Sequence, residues 1–77
     1  MKQSIVEVFI YIKPKEKLEI LASMANKLDQ FSGVVNATVN PYVKQLLSVK
    51  YDPAHTNGKA LLSAVRQQGS DGVLVGI

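Results

Sequence analysis

The sequence of 77 residues contains no cysteine, no tryptophan and a single histidine, His55. Without cysteine, the chain forms no disulfide, no thiolate metal site and no cysteine nucleophile. Long apolar runs are also missing: the stretch IVEVFIYI near the start is too short to span a membrane and includes Glu7. No small-residue cleavage site of a signal peptide follows it. We therefore expect a soluble, cytoplasmic protein whose stability comes from a packed core.

The residue types that carry out catalysis are scarce. No glycine-rich phosphate-binding loop is present, and no serine has an obvious histidine partner nearby in the sequence. Glu16 and Glu19, three residues apart at a predicted helix start, fit a favourable interaction with the helix dipole better than an acid–base pair. The sequence therefore indicates a protein that is not an enzyme and that holds no cofactor.

Positive charge is in mild excess. The formal net charge is +3 and the sequence pI is about 9.3. Nucleic-acid binders usually concentrate lysine and arginine on one face, whereas here these residues are spread along the chain. One short cluster stands out, formed by Lys13, Lys15 and Lys17. Two interpretations of this cluster stay open: a basic rim that docks an acidic partner, or a solvated turn.

The first part of the chain predicts a strand and then a helix. Residues 4–12 are rich in β-branched and aromatic side chains, which is typical of a strand. Pro14 ends this strand and suits the first position of a helix. Over residues 16–31, apolar side chains recur at the spacing of an amphipathic helix, and Gly33 is placed to cap its C-terminus. The stripe consists of Leu18, Leu21, Ala22, Ala25 and Leu28, and Met24 falls in the same apolar pattern.

A hairpin is predicted next. Segments 34–40 and 45–51 have the composition of strands, and a short connection containing Pro41 and Tyr42 separates them. A connection this short favours antiparallel pairing of the two strands. The Asp52-Pro53 dipeptide then ends the second strand of the pair.

The last part of the chain predicts a second helix and a final strand. Thr56 or Asn57 is placed to cap the start of this helix, and Gly69 its end. Its apolar stripe consists of Leu61, Leu62, Ala64 and Val65. A short strand over 72–77 follows. The order βαββαβ, with right-handed crossovers, predicts a ferredoxin-like α/β (α+β) sandwich: a four-stranded antiparallel sheet with two helices on one face, formed by residues 1–77 as a single domain.

A series of short motifs runs through the later two-thirds of the chain. They are Gly33-Val34 after the first helix, the alternating Ala37 and Val39, the run Val49-Lys50-Tyr51-Asp52-Pro53, the helix from Leu61 to Gln68, and Gly69. In this order they are similar to the heavy-metal-associated (HMA) domain family, a metal-binding family that includes small copper chaperones and the N-terminal domains of metal-pumping ATPases. The resemblance implies a ferredoxin-like fold over the whole chain.

The family's metal site lies in the first loop, in a motif of the form G-M-x-C-x-x-C. Counting back from Gly33 without gaps places this motif on residues 14–20. The methionine position then falls on Lys15, and the two cysteine positions fall on Lys17 and Ile20. Copper and zinc are held there by polarisable, anionic thiolates, whereas an ammonium repels a cation and isoleucine has no lone pair to donate. The resemblance therefore implies a cysteine-free, HMA-like domain without a metal site in this loop.

Two other functional interpretations remain beside this one. Metal could be handled through non-cysteine ligands or ligands that a partner supplies, although His55 with Asp52 nearby is a weak ligand pair. RNA-recognition motifs share the βαββαβ order and stack bases on aromatic residues of the first and third strands. Here the segment 45–51 brings no outward aromatic residue, which disfavours nucleic acid as the ligand.

The open face of the predicted sheet is unusually apolar. If Ile10 and Ile12 face the helices, then Phe9 and Tyr11 face away from them, because side chains alternate along a strand. By the same rule Leu46 of the third strand also faces outward, next to the first strand. Phe9, Tyr11 and Leu46 would form one exposed patch, which fits either contact with a protein partner or a second copy, or stabilisation of the sheet by cross-strand pairing.

Overall fold

The computed structural model describes residues 4–13 and 15–75, and its elements follow the predicted order. The strands are β1 (Val6–Lys13), β2 (Val34–Val39), β3 (Leu46–Tyr51) and β4 (Asp71–Val75), and the helices are α1 (Leu18–Asp29) and α2 (Gly58–Gln67). The sheet has the order β2-β3-β1-β4, and every neighbouring pair is antiparallel. The predicted ferredoxin-like sandwich is therefore confirmed. Neither α1 nor α2 has the length and apolar character needed to cross a bilayer.

The core lies between the two helices and one face of the sheet. Strand alternation is as expected, because Ile10 and Ile12 of β1 and Leu47 and Val49 of β3 are fully buried. Each such side chain contributes about 1.5–3 kcal/mol when it leaves water. The helices add Leu21, Met24, Ala25, Leu28, Leu61 and Val65 to this core, while Leu62 and Ala64 are partly buried against it.

Helix α1 is shorter than predicted. It begins at Leu18 rather than residue 16 and ends at Asp29, with Gln30 as its C-cap. Leu18 continues the apolar stripe but is 70% exposed, because it lies in the first turn, where it lines an open groove instead of the core. Ala22 is also exposed. Pro14, expected at the helix start, lies outside the described residues.

The sequence predicted that Gly33 caps the C-terminus of α1. In the structure, Gly33 instead forms the turn into β2. The main-chain N–H of Val34 donates to the carbonyl of Phe31 at 3.0 Å, and Gly33 takes a φ of +91°. A side chain is strained in that conformation. A Cβ at Gly33 would also lie 2.9 Å from the Cβ of His55, so glycine is required here by both conformation and space.

Helix α2 has the predicted caps. Of the two predicted N-cap candidates, Asn57 takes the role: its Oδ1 accepts the main-chain N–H of Ala60 at 2.9 Å. Thr56 is buried instead. Gly69 follows the C-cap residue Gln68 and takes a φ of +91°, as glycine does when it ends a helix. Strand β4 begins at Asp71, and the last two residues of the predicted final strand, 76 and 77, lie outside the described part of the chain.

Candidate functional site

The two positions that the gap-free count from Gly33 assigns to the family's cysteines lie at the N-terminus of α1. Lys17 is the N-cap residue, with an extended backbone (φ −69°, ψ 154°), and its carbonyl accepts the N–H groups of Ile20 and Leu21, each at 3.0 Å. Lys17 makes no side-chain cap hydrogen bond, and both Lys17 and Ile20 are exposed. The loop therefore presents two adjacent, solvent-facing side chains, one at the N-cap and one three residues later.

The chemistry of these two side chains does not suit a metal ion. The free N–H groups at a helix N-terminus favour an anion, such as a thiolate. Lys17 places an ammonium there instead, which the helix dipole opposes, and Ile20 has no donor atom. Among the described residues, no three histidine or acidic side chains come close enough to hold a metal ion. The two positions that the count from Gly33 assigns to the family's cysteines therefore carry no metal-donor atom.

Gln45 fixes the loop from the neighbouring hairpin. Its Oε1 accepts the main-chain N–H of Glu16 at 2.8 Å, and its Nε2 donates to the carbonyl of Glu16 at 2.9 Å. The carbonyl of Gln45 accepts the N–H of Ile12 at 2.8 Å. Gln45 is buried and has a φ of +65°, a conformation that costs about 1–3 kcal/mol for a non-glycine residue. These hydrogen bonds hold it in that conformation.

A second contact ties the same loop to the connection between α2 and β4. The hydroxyl of Ser70 donates to Oε2 of Glu16 at 3.0 Å, and Ser70 is buried. Glu16 precedes the N-cap, so the predicted interaction with the helix dipole falls to Glu19, the acidic residue of the first turn. Glu16 instead joins three loops. We call the hydrogen bonds of Glu16 with Gln45 and Ser70 the loop clamp.

The predicted basic rim is exposed. Lys13 ends β1 opposite Asp71 of β4, and Lys15 and Lys17 lie in the loop that follows. Within residues 4–13 and 15–75, none of the three lysines forms an ion pair with a carboxylate. Their charges therefore face water at the end of the molecule where the loop clamp lies.

The predicted apolar patch exists in an altered form. Phe9 is half-buried and Tyr11 is exposed, but Leu46 is only 9% exposed, so the expectation that it forms part of an exposed patch was wrong. Leu46 lies in the interior of the sheet beside its cross-strand partner Tyr11, and such neighbours cover one another. On the other side of β1, Val73 lies opposite Tyr11 and Val75 lies opposite Phe9.

Val73 and Val75 are both exposed and extend the apolar surface to the edge of the sheet. We call Phe9, Tyr11, Val73 and Val75 the open-face patch. Sequence reasoning missed the two valines, although period-two alternation within GVLVGI is a signal that could have found them. No comparable signal marks Gln45 or Ser70, because their partner is 29 and 54 residues away in the sequence.

The pair formed by Asp52 and His55 builds a turn. Oδ2 of Asp52 lies 2.9 Å from Nδ1 of His55, and Oδ1 accepts the N–H of Ala54 at 2.9 Å. The main-chain N–H of Asp52 donates to the carbonyl of Gly33 at 2.8 Å. The pKa of the Asp52 carboxyl lies below its usual value, chiefly because of the hydrogen bond from Ala54 and then because of the contact with His55. The Asp52 carboxylate thus stabilises the chain reversal after β3.

We expect Asp52→Asn to lower the free energy of unfolding at neutral pH and to have little effect in acid. A carboxyl whose pKa is lowered on folding stabilises the native chain above its ordinary pKa, and this contribution is lost as the pH falls through the folded-state value. Urea denaturation from about pH 2 to about pH 7 measures the difference in the free energy of unfolding between the parent chain and the variant. This range covers the pH values over which carboxyl groups ordinarily titrate. A difference that stays constant over that range would contradict a role for the charge.

Comparison with known proteins gives a consistent family of structures. No protein-family model matches the sequence, and no curated protein matches it. Among solved structures, the copper form of a CopA variant from Bacillus subtilis matches with a TM-score of 0.82 and 25% identity, over 100% of both chains. Oxidized MerP from Ralstonia metallidurans CH34 matches with a TM-score of 0.84 and 15% identity, over 95% of this chain and 100% of MerP.

A structure described as the CopZ metallochaperone is also similar, with a TM-score of 0.76 and 22% identity over 88% of this chain and 100% of CopZ. The predicted resemblance is therefore confirmed at the level of the fold and element order. The chain therefore has the fold of heavy-metal-associated (HMA) domains, and with no cysteine among its 77 residues it lacks the paired thiolates of that family's motif.

Proposed function

We propose that residues 1–77 act as a single non-catalytic, cytoplasmic HMA-like domain that binds proteins and holds no metal ion in its β1–α1 loop. One observation carries the proposal: Lys17 and Ile20 occupy the N-cap and the third helical position of α1, where a metal-binding loop requires two thiolates. A cation beside the positive end of a helix dipole repels a metal ion. The loop is therefore adapted to a ligand other than metal.

The loop clamp supports the same conclusion. A flexible loop could bring other donor atoms to an ion, whereas this loop is hydrogen-bonded to two other connections through Gln45 and Ser70. Its main-chain shape is set before any ligand arrives. Such preorganised surfaces favour recognition of another macromolecule, because little conformational entropy is lost on binding.

The open-face patch is the surface that we assign to contact with a second copy of this chain. Around the apolar residues, Glu7 lies opposite Lys50 and Lys13 lies opposite Asp71 in the strand register. Two acidic and two basic side chains thus frame the patch, so the face is electrostatically self-complementary. A two-fold interface brings the same patch of each protomer together, and it covers apolar surface that one small domain leaves exposed.

Sedimentation velocity and metal analysis test the proposal together. We expect the chain, purified without an affinity tag, to contain no stoichiometric copper or zinc and to dimerise with rising concentration. The double substitution Phe9→Ser and Tyr11→Ser should raise the dimer dissociation constant at least about tenfold, because aromatic residues at interface centres contribute most of the binding energy. Its fold, checked by circular dichroism, should be retained.

Val35→Ser provides the matched control, since Val35 is an exposed apolar residue of the edge strand β2 outside the open-face patch. It should leave the dissociation constant unchanged. Stoichiometric metal that resists mild chelation would contradict the absence of a metal site. A wild-type chain that stays monomeric at all concentrations would contradict the assignment of the open-face patch.

A further inference from the structure

A groove of about 550 Å³ lies between the start of α1 and the hairpin that joins β2 to β3. It is separate from the open-face patch, with which it shares no residue. One wall consists of Glu16, Leu18 and Leu21. The opposite wall is formed by residues 39–45, so two segments far apart in sequence create the groove.

The groove is apolar and its upper walls are exposed. Tyr42 is 91% exposed, Leu18 is 70% exposed and Val43 is also exposed, while Leu21 is buried beneath them. Large apolar side chains of this kind are normally covered in a monomer, and a cluster of them around a concavity marks a binding surface. The groove can take one or two apolar side chains of a ligand between Leu18 and Tyr42.

Both walls are held in place by hydrogen bonds. Oδ1 of Asn40 accepts the main-chain N–H groups of Tyr42 at 2.8 Å and Val43 at 2.9 Å. The N–H of Asn40 donates to the carbonyl of Leu46 at 2.8 Å. The facing wall is fixed at Glu16 by the loop clamp. An exposed aromatic residue on a fixed turn loses little entropy when a partner covers it.

Lysines outnumber carboxylates when the groove lining and the loop that precedes α1 are taken together. Lys44 lies in the lining, and the exposed Lys15 and Lys17 flank Glu16 and Leu18 in the sequence. Glu16, also in the lining, keeps its negative charge while its carboxylate accepts the hydroxyl of Ser70, so the excess of positive charge comes from Lys15 and Lys17. A ligand in the groove therefore meets an apolar cleft with Lys44 in its lining and with Lys15 and Lys17 exposed on the adjacent loop.

We propose that this groove binds an extended segment of another protein in which an apolar side chain is flanked by carboxylates. The inference rests on the proposed role of the domain in protein binding and adds the site and the chemistry of the partner. Aliphatic side chains of Leu18, Val39 and Val43 line the cleft, and they bury an apolar residue better than they stack nucleotide bases. The lysines on the rim then attract the flanking carboxylates.

Selection from a random peptide library displayed on phage, with the full chain as bait, tests the proposal. We expect enrichment of sequences that carry Leu, Ile or Phe between Asp or Glu residues. Tyr42→Ala should weaken the binding of the selected peptide about tenfold, since an aromatic anchor at the centre of a contact commonly contributes that much. Because Tyr42 is 91% exposed, this variant should keep the melting temperature of the parent chain.

Charge reversal gives the second arm of the test. The double substitution Lys17→Glu and Lys44→Glu should weaken binding of the acidic peptide. It should strengthen binding of a counterpart peptide in which lysines replace the acidic residues. Lys27→Glu with Lys59→Glu is the control, because it changes the net charge equally at exposed sites outside the groove. The affinity of the wild-type chain should also fall with added salt.

Three results would overturn the groove assignment: no enrichment of peptides, enrichment of basic sequences, or tighter Tyr42-dependent binding of a single-stranded oligonucleotide. These outcomes are distinguishable from failure of the proposed function. If dimerisation is lost with Phe9→Ser and Tyr11→Ser but no peptide is selected, the groove assignment alone is wrong. If peptides are selected and the chain also holds stoichiometric metal, the groove assignment stands and the proposed absence of a metal site is wrong.

Discussion

Replacing Lys17 and Ile20 with cysteine should create a Cu(I) site, which we propose the parent chain lacks. The two side chains lie at the N-cap and the third position of α1, both exposed, on the same side of one helical turn. Residues three apart on a helix are neighbours, so two thiolates there can bind one soft ion. The N-terminal N–H groups stabilise thiolates and lower their pKa. Removing Lys17 also removes the ammonium that repels a cation.

Competition with a chromogenic Cu(I) chelator under reducing conditions measures this effect. The double variant should retain one Cu(I) per chain, and the wild-type chain should release all of it. Ser23→Cys with Asn26→Cys is the matched control, because both residues are exposed and have the same spacing on a part of α1 away from the helix N-terminus. We expect it to bind Cu(I) at least about tenfold more weakly, since it lacks the free N–H groups.

Failure of the double variant to bind Cu(I), with its fold intact, would show that the gap-free count from Gly33 places the motif wrongly. That outcome would leave the proposal of protein binding untouched, since the wild-type chain has no cysteine in any register. The experiment therefore tests where the family's metal motif falls in this sequence, independently of the proposed role in protein binding.

Gly33→Ala should be one of the most destabilising single substitutions in the chain. A Cβ at Gly33 would lie 2.9 Å from the Cβ of His55 and 3.1 Å and 3.2 Å from the Cγ2 and Cβ of Thr56. The carbonyl of Gly33 is also fixed by the N–H of Asp52, so the backbone cannot shift away freely. We expect a loss of about 2–4 kcal/mol, the sum of conformational strain and overpacking.

Gly69→Ala separates these two causes. Gly69 has the same φ of +91°, but a Cβ there would meet no atom within 4 Å. Its substitution should therefore cost only the conformational strain, about 1 kcal/mol. Urea denaturation of the two variants and the parent chain gives both values. Equal losses would mean that the turn carrying His55 and Thr56 relaxes around the new methyl group.

The sequence predicted the parts of the fold that depend on local patterns. Strand alternation placed Ile10 and Leu47 in the core, and the helical period placed Leu61 there, because burial follows the period of each element. Asn57 could be predicted as a cap because its partner is three residues away. The order of elements then left few topologies, since crossover handedness and short connections exclude most others.

The remaining features depend on contacts between distant segments. Leu46 was expected in an exposed patch, yet its position in the interior of the sheet covers it. Leu18 matched the helical period but lies where the helix extends past the core. Gln45 carries no local signal, because its role depends on a left-handed backbone and on Glu16 in another loop. Such features are fixed by tertiary structure and not by sequence neighbours.

The loop clamp has a consequence for the order of folding. Its hydrogen bonds join Glu16 to partners 29 and 54 residues away, and contacts across such separations form only after the entropy of closing long loops has been overcome. The strands that bring Gln45 and Ser70 to Glu16 must therefore pair first. A nascent or partly folded chain does not yet present the groove, so the binding that we propose there requires these distant segments to have come together first.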